Sequence, residues 1–176
     1  ALRARLLAPA AAGAAPFEVL VTSYEIAQAD QAALQKVRWA QLVVDEAHRL
    51  KNAEGRLIAA LAAIAPGAHR VLLTGTPLQN RVGDLFSLVR FLEMDPYAYY
   101  FCRKKGCDCK SLEWNFGPMQ RQCECCGHPA PYHYSAFNKA IINPISRYGY
   151  VGEGQQAVKT LQKVLNAIQL RRTKKQ

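Results

Sequence analysis

Three short apolar runs, separated by segments with helical spacing, constrain the fold of this chain more than any other feature. The runs are Phe17–Tyr24, Trp39–Asp45 and Val71–Thr74, and each ends in polar residues. Between them, apolar residues recur every three or four positions over residues 25–37 and Ala53–Ile64. Short buried strands that alternate with helices are typical of parallel βαβ units. The sequence therefore predicts an α/β fold with a parallel sheet.

Composition divides the chain into four regions. Residues 1–16 are rich in Ala and Pro and are expected to be a linker or a truncated helix, and residues 17–96 hold the α/β pattern. Residues 97–134 are rich in Cys, aromatic and turn residues and are predicted to be an insert, whereas helical patterning returns over residues 135–176. No apolar run approaches the length of a membrane span, so no membrane contact is expected. The net charge of +10 favours a polyanionic partner.

Two adjacent carboxylates, Asp45 and Glu46, end the second apolar run. They could mark a solvated strand end, or they could hold magnesium and orient the attacking water in a nucleotide triphosphatase. The third run ends in Thr74-Gly75-Thr76, which offers two hydroxyls and a glycine that lets a ligand approach the backbone. Because reactive groups gather at the carboxyl ends of parallel strands, the two features together predict a magnesium–nucleotide site.

Four segments, VLVTSYE, VVDEAHRLKN, VLLTGTPLQN and LRRTK, together resemble the first-lobe motifs of the Swi/Snf-type, DNA-dependent ATPases of helicase superfamily two. The resemblance covers roughly residues 17–175. It implies a partial RecA-like lobe that uses ATP and Mg²⁺ and acts on double-stranded DNA or chromatin in the nucleus. It also implies that Asp45 and Glu46 are the hydrolytic acids and that His48 couples them to the later motif. The other implied site residues are Thr74, Gly75 and Thr76 for nucleotide-state coupling, and Thr22, Ser23, Tyr24, Arg171 and Arg172 as DNA-track candidates.

The sequence lacks a G-x-x-x-x-G-K-[ST] loop, and with it the lysine that contacts the β- and γ-phosphates. The second lobe and its arginine finger, which the resemblance implies, are absent as well. We therefore expect part of a larger enzyme or a truncated gene product that hydrolyses no ATP alone. The alternative is a degenerate, non-catalytic module that binds zinc and contacts DNA or a repair partner. An RNA helicase is a third option, but TGTPLQN followed by LRRTK argues against it.

All six cysteines lie between Cys102 and Cys126. One dense cluster with nearby histidines favours a metal site in a reducing compartment over a disulfide-stapled secreted domain. Cys123-x-x-Cys126 has the spacing of a zinc knuckle, and tetrahedral zinc needs four ligands. We expect Cys123 and Cys126 to bind one zinc ion together with two earlier cysteines, while Cys125 is not expected to be a ligand. The candidates for the other positions are Cys102, Cys107 and Cys109, with His133 or His128 in reserve; free thiols are the alternative.

The insert is similar to that of the Swi/Snf branch that also carries a RING finger and acts in nucleotide excision repair. That branch has F-N and P-I after the insert, as in Phe137-Asn138 and Pro144-Ile145 here. This chain departs from the branch in the long Cys102-x4-Cys107 spacing and in the extra Cys125. The resemblance implies repair-complex proteins as partners. Aromatic residues of the insert are expected to pack the metal module rather than to stack on DNA: Tyr97, Tyr99, Tyr100, Phe101, Trp114 and Phe116.

Overall fold

The computed structural model describes residues 17–50, 55–75, 82–112 and 122–172. These residues belong to two compact units, which divide between Leu92 and Glu93. The linker predicted at residues 1–16 lies outside the described residues, as do Trp114 and Phe116 of the insert. In the part of the chain that the structure describes, none of the helices combines the length and apolar character needed to cross a membrane.

The first unit is a mixture of helices and a two-stranded parallel sheet. In chain order it contains α1 (Tyr24–Ala29), α2 (Gln31–Leu34), β1 (Gln41–Val44), a 3-10 helix (Ala47–Leu50), α3 (Arg56–Ile64), β2 (His69–Leu72) and α4 (Val82–Phe91). The strands β1 and β2 pair in parallel, with Gln41 opposite His69 and Val44 opposite Leu72. The predicted second and third strands, the helix that joins them and the parallel α/β class are thereby confirmed.

The strand predicted over Phe17–Tyr24 is wrong. Up to Ser23 this segment has no regular secondary structure, and the Ser23 side chain caps α1 by accepting a hydrogen bond from the backbone. Val19 and Val21 are 77% and 90% exposed. A strand is stabilised only when a neighbouring strand satisfies its backbone groups, and no described strand pairs with this segment. Apolar and β-branched composition is therefore insufficient to form a strand here.

The sheet of the first unit is also less covered than its apolar strands predict. Adjacent residues of β1 point to opposite faces, and Val44 is buried whereas Val43 is 53% exposed. Leu73, just after β2, is 48% exposed. The buried face belongs to a core to which α1, α2, α3 and α4 all contribute. The buried side chains of this core are Ala27, Leu34, Val44, Ala47, Leu50, Ala60, Leu61, Ile64, Ala65, Leu85, Leu88, Val89 and Phe91.

A cationic side chain of the sheet contacts the carboxyl end of helix α4. Arg70 of β2 donates from Nη1 to the backbone oxygen of Phe91 at 2.6 Å, and its guanidinium lies 5.0 Å from the centre of the Phe91 ring. A cation at the carboxyl end of a helix satisfies a carbonyl and offsets the negative end of the helix dipole. This contact ties the end of α4 to β2 within the first unit.

The second unit combines an antiparallel sheet with helices. It contains β3 (Tyr100–Cys102), β4 (Lys110–Ser111), a 3-10 helix (Ala130–Tyr132), β5 (His133–Ser135), a π-helix (Asn138–Ile142), α5 (Asn143–Tyr148) and α6 (Glu153–Ile168). Strand β3 lies between β4 and β5. Helical structure follows β5, as the pattern over residues 135–176 predicts, in the π-helix and α5, but Ser135 itself belongs to the strand. Because Pro144 has no N–H, the α-helical hydrogen-bond pattern is interrupted where the π-helix gives way to α5.

Helix α6 packs against α5 and the π-helix through one apolar face. Ala157, Leu161 and Val164 of that face are buried, and the helix lies within residues 135–176, where helical patterning was predicted. At the start of α6, Gly154 lies so close to Gly149 that a Cβ atom at residue 154 would overlap the Gly149 carbonyl oxygen. This close approach of two backbones requires glycine.

Gly154→Ala is therefore expected to destabilise the protein, because the backbone of residue 149 must move to admit the methyl group. Overpacking of this kind costs roughly 1–3 kcal/mol. Urea unfolding, followed by far-UV circular dichroism, measures the change in the free energy of unfolding. Gln162→Ala, on the exposed side of the same helix, is the control and should stay within about 0.5 kcal/mol of the parent. Equal stability of the Gly154→Ala protein and the parent would contradict the packing described.

Candidate nucleotide edge and Cys/His centre

The carboxyl ends of β1 and β2 lie side by side in the first unit. The Leu73 N–H donates to the Val44 backbone oxygen at 2.8 Å, and the Ala47 N–H donates to the Leu73 oxygen at 2.9 Å. Because the strands are parallel, the residues that follow both strands leave the sheet at one edge. Four predicted site residues lie at this edge: Asp45, Glu46, Thr74 and Gly75. Thr76, also predicted, lies outside the described residues.

The two acids at this edge are held in a tight turn. Glu46 has a φ of 50°, which is uncommon for a residue other than glycine. Its N–H donates to Asp45 Oδ1 at 2.8 Å, so the first carboxylate stabilises the turn that carries the second. The Glu46 side chain is 61% exposed. The arrangement therefore leaves the Glu46 carboxylate open to a ligand that approaches from solvent.

His48 lies beside Glu46 on the 3-10 helix. Its Nδ1 is 3.1 Å from Glu46 Oε2, a distance at which a protonated imidazole forms an ion pair. The two groups are not aligned as a hydrogen bond, and Nδ1 is a buried polar atom without a hydrogen-bond partner among the described residues. A buried donor or acceptor without a partner costs stability. His48 is therefore a group that would gain from a partner supplied at this edge.

Tyr24 and Arg49 support the edge from α1 and the 3-10 helix. The Tyr24 hydroxyl donates to the backbone oxygen of Asp45. The Arg49 guanidinium lies 4.6 Å from the centre of the Tyr24 ring and pairs with Glu25 at 2.8 Å. Burial raises the pKa of the Tyr24 hydroxyl against the opposing effect of Arg49, so the hydroxyl stays a donor at neutral pH. Arg49 is not among the predicted site residues, and its contact with Tyr24 was missed.

Arg49→Ala is expected to raise the pKa of Glu25 from about 2 towards its ordinary value of 4.5, because the hydrogen bond from Arg49 is the main cause of the low value. A lowered carboxyl pKa stabilises the fold above pH 4.5, and that contribution disappears as the pH falls towards 2. An NMR titration of the Glu25 side chain measures the pKa in both proteins. Arg38→Ala, which removes an exposed arginine of the same unit, is the control and should leave the pKa unchanged. A parent value near 4.5 would show that the ion pair does not form in solution.

The remaining DNA-track candidates lie on the surface of their own units. Thr22 is exposed in the first unit, and Ser23 is engaged as the cap of α1. Arg171 and Arg172 are exposed after α6 in the second unit. Exposure is compatible with a contact to a nucleic-acid backbone, and their role stays a prediction.

Five cysteines and two histidines converge around the antiparallel sheet of the second unit, in what we call the Cys/His centre. They form two groups, in each of which all ligand atoms lie within 4.8 Å of one another. Group A consists of Cys102, Cys107, Cys126 and His128, and group B consists of Cys109, Cys123, Cys126 and His133. Both groups draw on distant parts of the chain: β3 and its following turn, and the Cys123–Cys126 knuckle with the residues after it. All six predicted metal ligands thus lie in the centre, together with His128.

Backbone groups around the centre suit metal-bound sulfur. The Lys104 N–H donates to Cys102 Sγ at 3.5 Å, and Gly127 has a φ of 70° directly after the knuckle. His133 Nδ1 lies 3.2 Å from the Pro129 backbone oxygen, which can accept a hydrogen bond from it, so that Nε2 is the nitrogen that would bind a metal. His133 Nε2 is 3.3 Å from Cys126 Sγ. The donors are therefore placed where they could hold a metal ion, and thiolate with imidazole is the ligand set of structural zinc.

The thiols of the centre differ in acidity. Burial raises the pKa of Cys109, and it raises that of Cys126 to about 11 against an opposing hydrogen bond from the His128 backbone. Burial also acts to raise the pKa of Cys123, but backbone hydrogen bonds from Cys126 and Cys125 and the Cys109 thiol outweigh it and lower the pKa. Only the thiolate form binds a metal. The lowered pKa favours the thiolate form at Cys123, whereas the raised pKa favours the neutral thiol at Cys109.

Comparison with known proteins gives the family. The SNF2-related domain matches residues 6–176. The protein named ATP-dependent helicase rhp16 of Schizosaccharomyces pombe is 40% identical over 145 residues, which are 82% of this chain and 16% of that protein.

Chromatin-remodelling proteins match a shorter part of the chain. The CHD3-type chromatin-remodeling factor PICKLE of Arabidopsis thaliana is 48% identical over 82 residues, which are 47% of this chain and 6% of that protein. Chromodomain-helicase-DNA-binding protein 6 of Rattus norvegicus is 51% identical over 81 residues, which are 46% of this chain and 3% of that protein. The chain thus spans about a sixth of the length of rhp16 and less of the others. Together with the α/β fold and its parallel sheet, these matches mean that the chain belongs to the SNF2-related domain family, the Swi/Snf-type ATPases of helicase superfamily two.

Proposed function

We propose that this chain supplies the magnesium-binding and water-activating edge of an ATP-driven motor that moves along double-stranded DNA. The observation that carries the proposal is the parallel pairing of β1 and β2, which brings Asp45 and Glu46 to the same edge as Thr74 and Gly75. In parallel α/β sheets, ligands bind at the carboxyl ends of the strands. The family membership supports ATP and Mg²⁺ as the cofactors of this edge.

Each side chain at the edge has a distinct role in this proposal. Asp45 would hold the hydration shell of Mg²⁺, and the ion would supply positive charge at the nucleotide phosphates. Glu46, with its exposed carboxylate, orients the attacking water and accepts its proton. His48, whose Nδ1 lies 3.1 Å from Glu46 Oε2, links Glu46 to the loop after β2 in this proposal. In that loop, Thr74, Gly75 and Thr76 respond to the state of the nucleotide.

The biological setting follows from the relatives and from the insert. One relative is named an ATP-dependent helicase, and others are named chromatin-remodelling proteins. We infer work on double-stranded DNA or chromatin in the nucleus, and the Cys/His insert favours the nucleotide-excision-repair branch with repair-complex proteins as partners. Exposed Arg171 and Arg172, with Thr22, Ser23 and Tyr24, are the candidates for contacts along the DNA track.

The Cys/His centre has a structural role in this proposal. It holds zinc through the knuckle Cys123–Cys126 and the cysteines that precede it, and the ion orders the sheet of the second unit. Two observations support this role: the convergence of seven ligand atoms, and the backbone hydrogen bonds that orient Cys102 and His133. Structural zinc contributes directly to the folding of small domains.

ATP hydrolysis tests this proposal, first in the purified chain and then in a chimera that adds the phosphate-binding loop. The 176 residues contain no G-x-x-x-x-G-K-[ST] loop, so the purified chain is expected to hydrolyse no ATP. A chimera in which this chain replaces the aligned segment of rhp16 is expected to hydrolyse ATP when double-stranded DNA is added. Phosphate release with and without DNA is the measurement. Glu46-dependent hydrolysis by the chain alone would contradict the need for a phosphate loop, and an inactive, folded chimera would contradict the motor.

A binding module without catalysis is the second candidate, and the charge around the Cys/His centre favours it. Arg103, Lys104 and Lys105 are exposed in the turn between β3 and β4. Basic side chains that contact phosphates give binding that weakens steeply with salt and tolerates any sequence. Salt-sensitive DNA binding by the purified chain, combined with an inactive chimera, would favour this module over the motor.

A further inference from the structure

The two ligand groups of the Cys/His centre share one residue, Cys126. In the described part of the chain, both groups reach four ligands only through its sulfur. We propose that the Cys/His centre holds two zinc ions and that the Cys126 thiolate bridges them. This inference rests on the structural zinc site proposed above and deepens it, because it assigns the number of ions and the residue that joins them.

The ligand count fits two ions with one bridge. Tetrahedral coordination of two zinc ions requires eight ligand positions. Group A and group B together contain seven residues, and Cys126 occupies a position in each group. A thiolate sulfur has more than one lone pair and can therefore bind two cations at once. A single zinc in group B would leave Cys102, Cys107 and His128 brought together without a bound ion.

The distances between ligand atoms fit a common ion in each group. With Zn–S bonds of ~2.3 Å and Zn–N bonds of ~2.0 Å, tetrahedral zinc places two sulfurs about 3.8 Å apart and a sulfur and a nitrogen about 3.5 Å apart. In group A, Cys102 Sγ lies 3.5 Å from His128 Nδ1. In group B, Cys109 Sγ lies 3.8 Å from Cys123 Sγ, and Cys126 Sγ lies 3.3 Å from His133 Nε2. Both groups therefore have the spacing of zinc ligands.

The position of Cys126 fits a bridge in particular. Its sulfur lies within 4.8 Å of the Cys107 sulfur in group A and within 4.8 Å of the Cys109 and Cys123 sulfurs in group B. Strand pairing holds the two groups together, because Cys102 of group A and His133 of group B are direct cross-strand partners in β3 and β5. Two ions on opposite sides of the Cys126 sulfur would thus join the ends of both strands to the knuckle.

Charge is compatible with two ions. Five thiolates and two divalent cations carry a net charge of about −1, the same as three thiolates and one cation in group B alone. The second ion therefore adds no net charge to the partly buried centre. The exposed side chains of Arg103, Lys104 and Lys105 lie in the turn between Cys102 and Cys107 and offset the remaining charge.

The test counts metal ions in the purified 176-residue chain. We expect two zinc ions per chain by atomic emission, with protein measured by amino-acid analysis. Cys102→Ser and His128→Ala, which alter group A alone, should each lower the content to about one. Cys125→Ser is the matched control: Cys125 is an exposed cysteine of the same knuckle that belongs to neither group, and its replacement should keep two ions.

A second measurement identifies the bridge itself. In the chain loaded with ¹¹³Cd in place of zinc, two ions that share a sulfur give two resonances split by scalar coupling to each other, and both couple to the β-protons of Cys126. Two ions without this coupling would overturn the bridge. One ion per chain would overturn the pair and leave the single structural site intact, whereas no bound metal would overturn both the pair and that site.

Discussion

Cys123→Ser is expected to release zinc from group B and to unfold the sheet formed by β3, β4 and β5. The three strands hold only eight residues, so few backbone hydrogen bonds maintain the sheet. Structural zinc in small domains is worth about 10–16 kcal/mol at neutral pH, which is comparable to the whole stability of ordinary domains, about 5–15 kcal/mol. Loss of the ion therefore removes most of what orders these strands.

Amide hydrogen exchange, read by mass spectrometry over residues 100–102 and 133–135, measures this effect. Protection of these amides should disappear in the Cys123→Ser protein and after a zinc chelator is added to the parent. Cys125→Ser, which replaces the exposed cysteine of the same knuckle, should retain protection. Because each thiol loses its proton when it binds zinc, the zinc affinity of the parent should also fall as the pH is lowered. Sheet amides that stay protected in the chelated protein would rule out a structural role for the metal.

Glu46→Gln in the rhp16 chimera has the second large expected effect. Glutamine keeps the size of the side chain but cannot accept a proton from water, and general-base catalysis contributes about 10²- to 10⁴-fold to a rate. We expect kcat for DNA-stimulated ATP hydrolysis to fall by that factor, with little change in KM for ATP. The reason is that Glu46 is proposed to act on the attacking water rather than to hold the nucleotide.

The control for this substitution is Glu18→Gln, which removes an exposed carboxylate from the same unit and should leave kcat unchanged. The melting temperature of both chimeras should match that of the parent, so that a folding defect is excluded. A Glu46→Gln chimera with the full kcat would mean that another group activates the water. Asp45→Asn should instead raise the Mg²⁺ concentration needed for half-maximal activity, which separates the roles of the two acids.

The sequence predicted the parallel pairing of β1 and β2, but it wrongly predicted a strand over Phe17–Tyr24. The apolar runs that became β1 and β2 are joined by α3, and this local order is enough to require a parallel crossover. The run from Phe17 has the same composition, yet Val19 and Val21 are exposed because no described strand pairs with them. An apolar, β-branched composition allows a segment to form a strand, but the strand forms only when a neighbouring strand pairs with it.

At the candidate edge, the sequence predicted the position of the two acids but not the side-chain contacts that hold them. Asp45 and Glu46 follow an apolar run, so their position at a strand end is a local property of the sequence. The hydrogen bond from Tyr24 to the Asp45 backbone and the stacking of Arg49 on Tyr24 join residues of α1 to residues beyond β1. Such contacts depend on how α1 packs in the first unit, and no spacing rule relates the two segments.

The sequence by itself determined the α/β class, the order of acids and threonines at the strand ends, and the presence of a cysteine cluster with the spacing of metal ligands. These features depend on neighbours along the chain, where side-chain period and motif spacing act directly. Only the tertiary structure decided which thiols meet which histidines. Cys102 lies near His128 and Cys109 lies near Cys123, although these pairs are 26 and 14 residues apart along the chain. Strand pairing across distant segments sets that geometry, and it placed Cys126 between both groups.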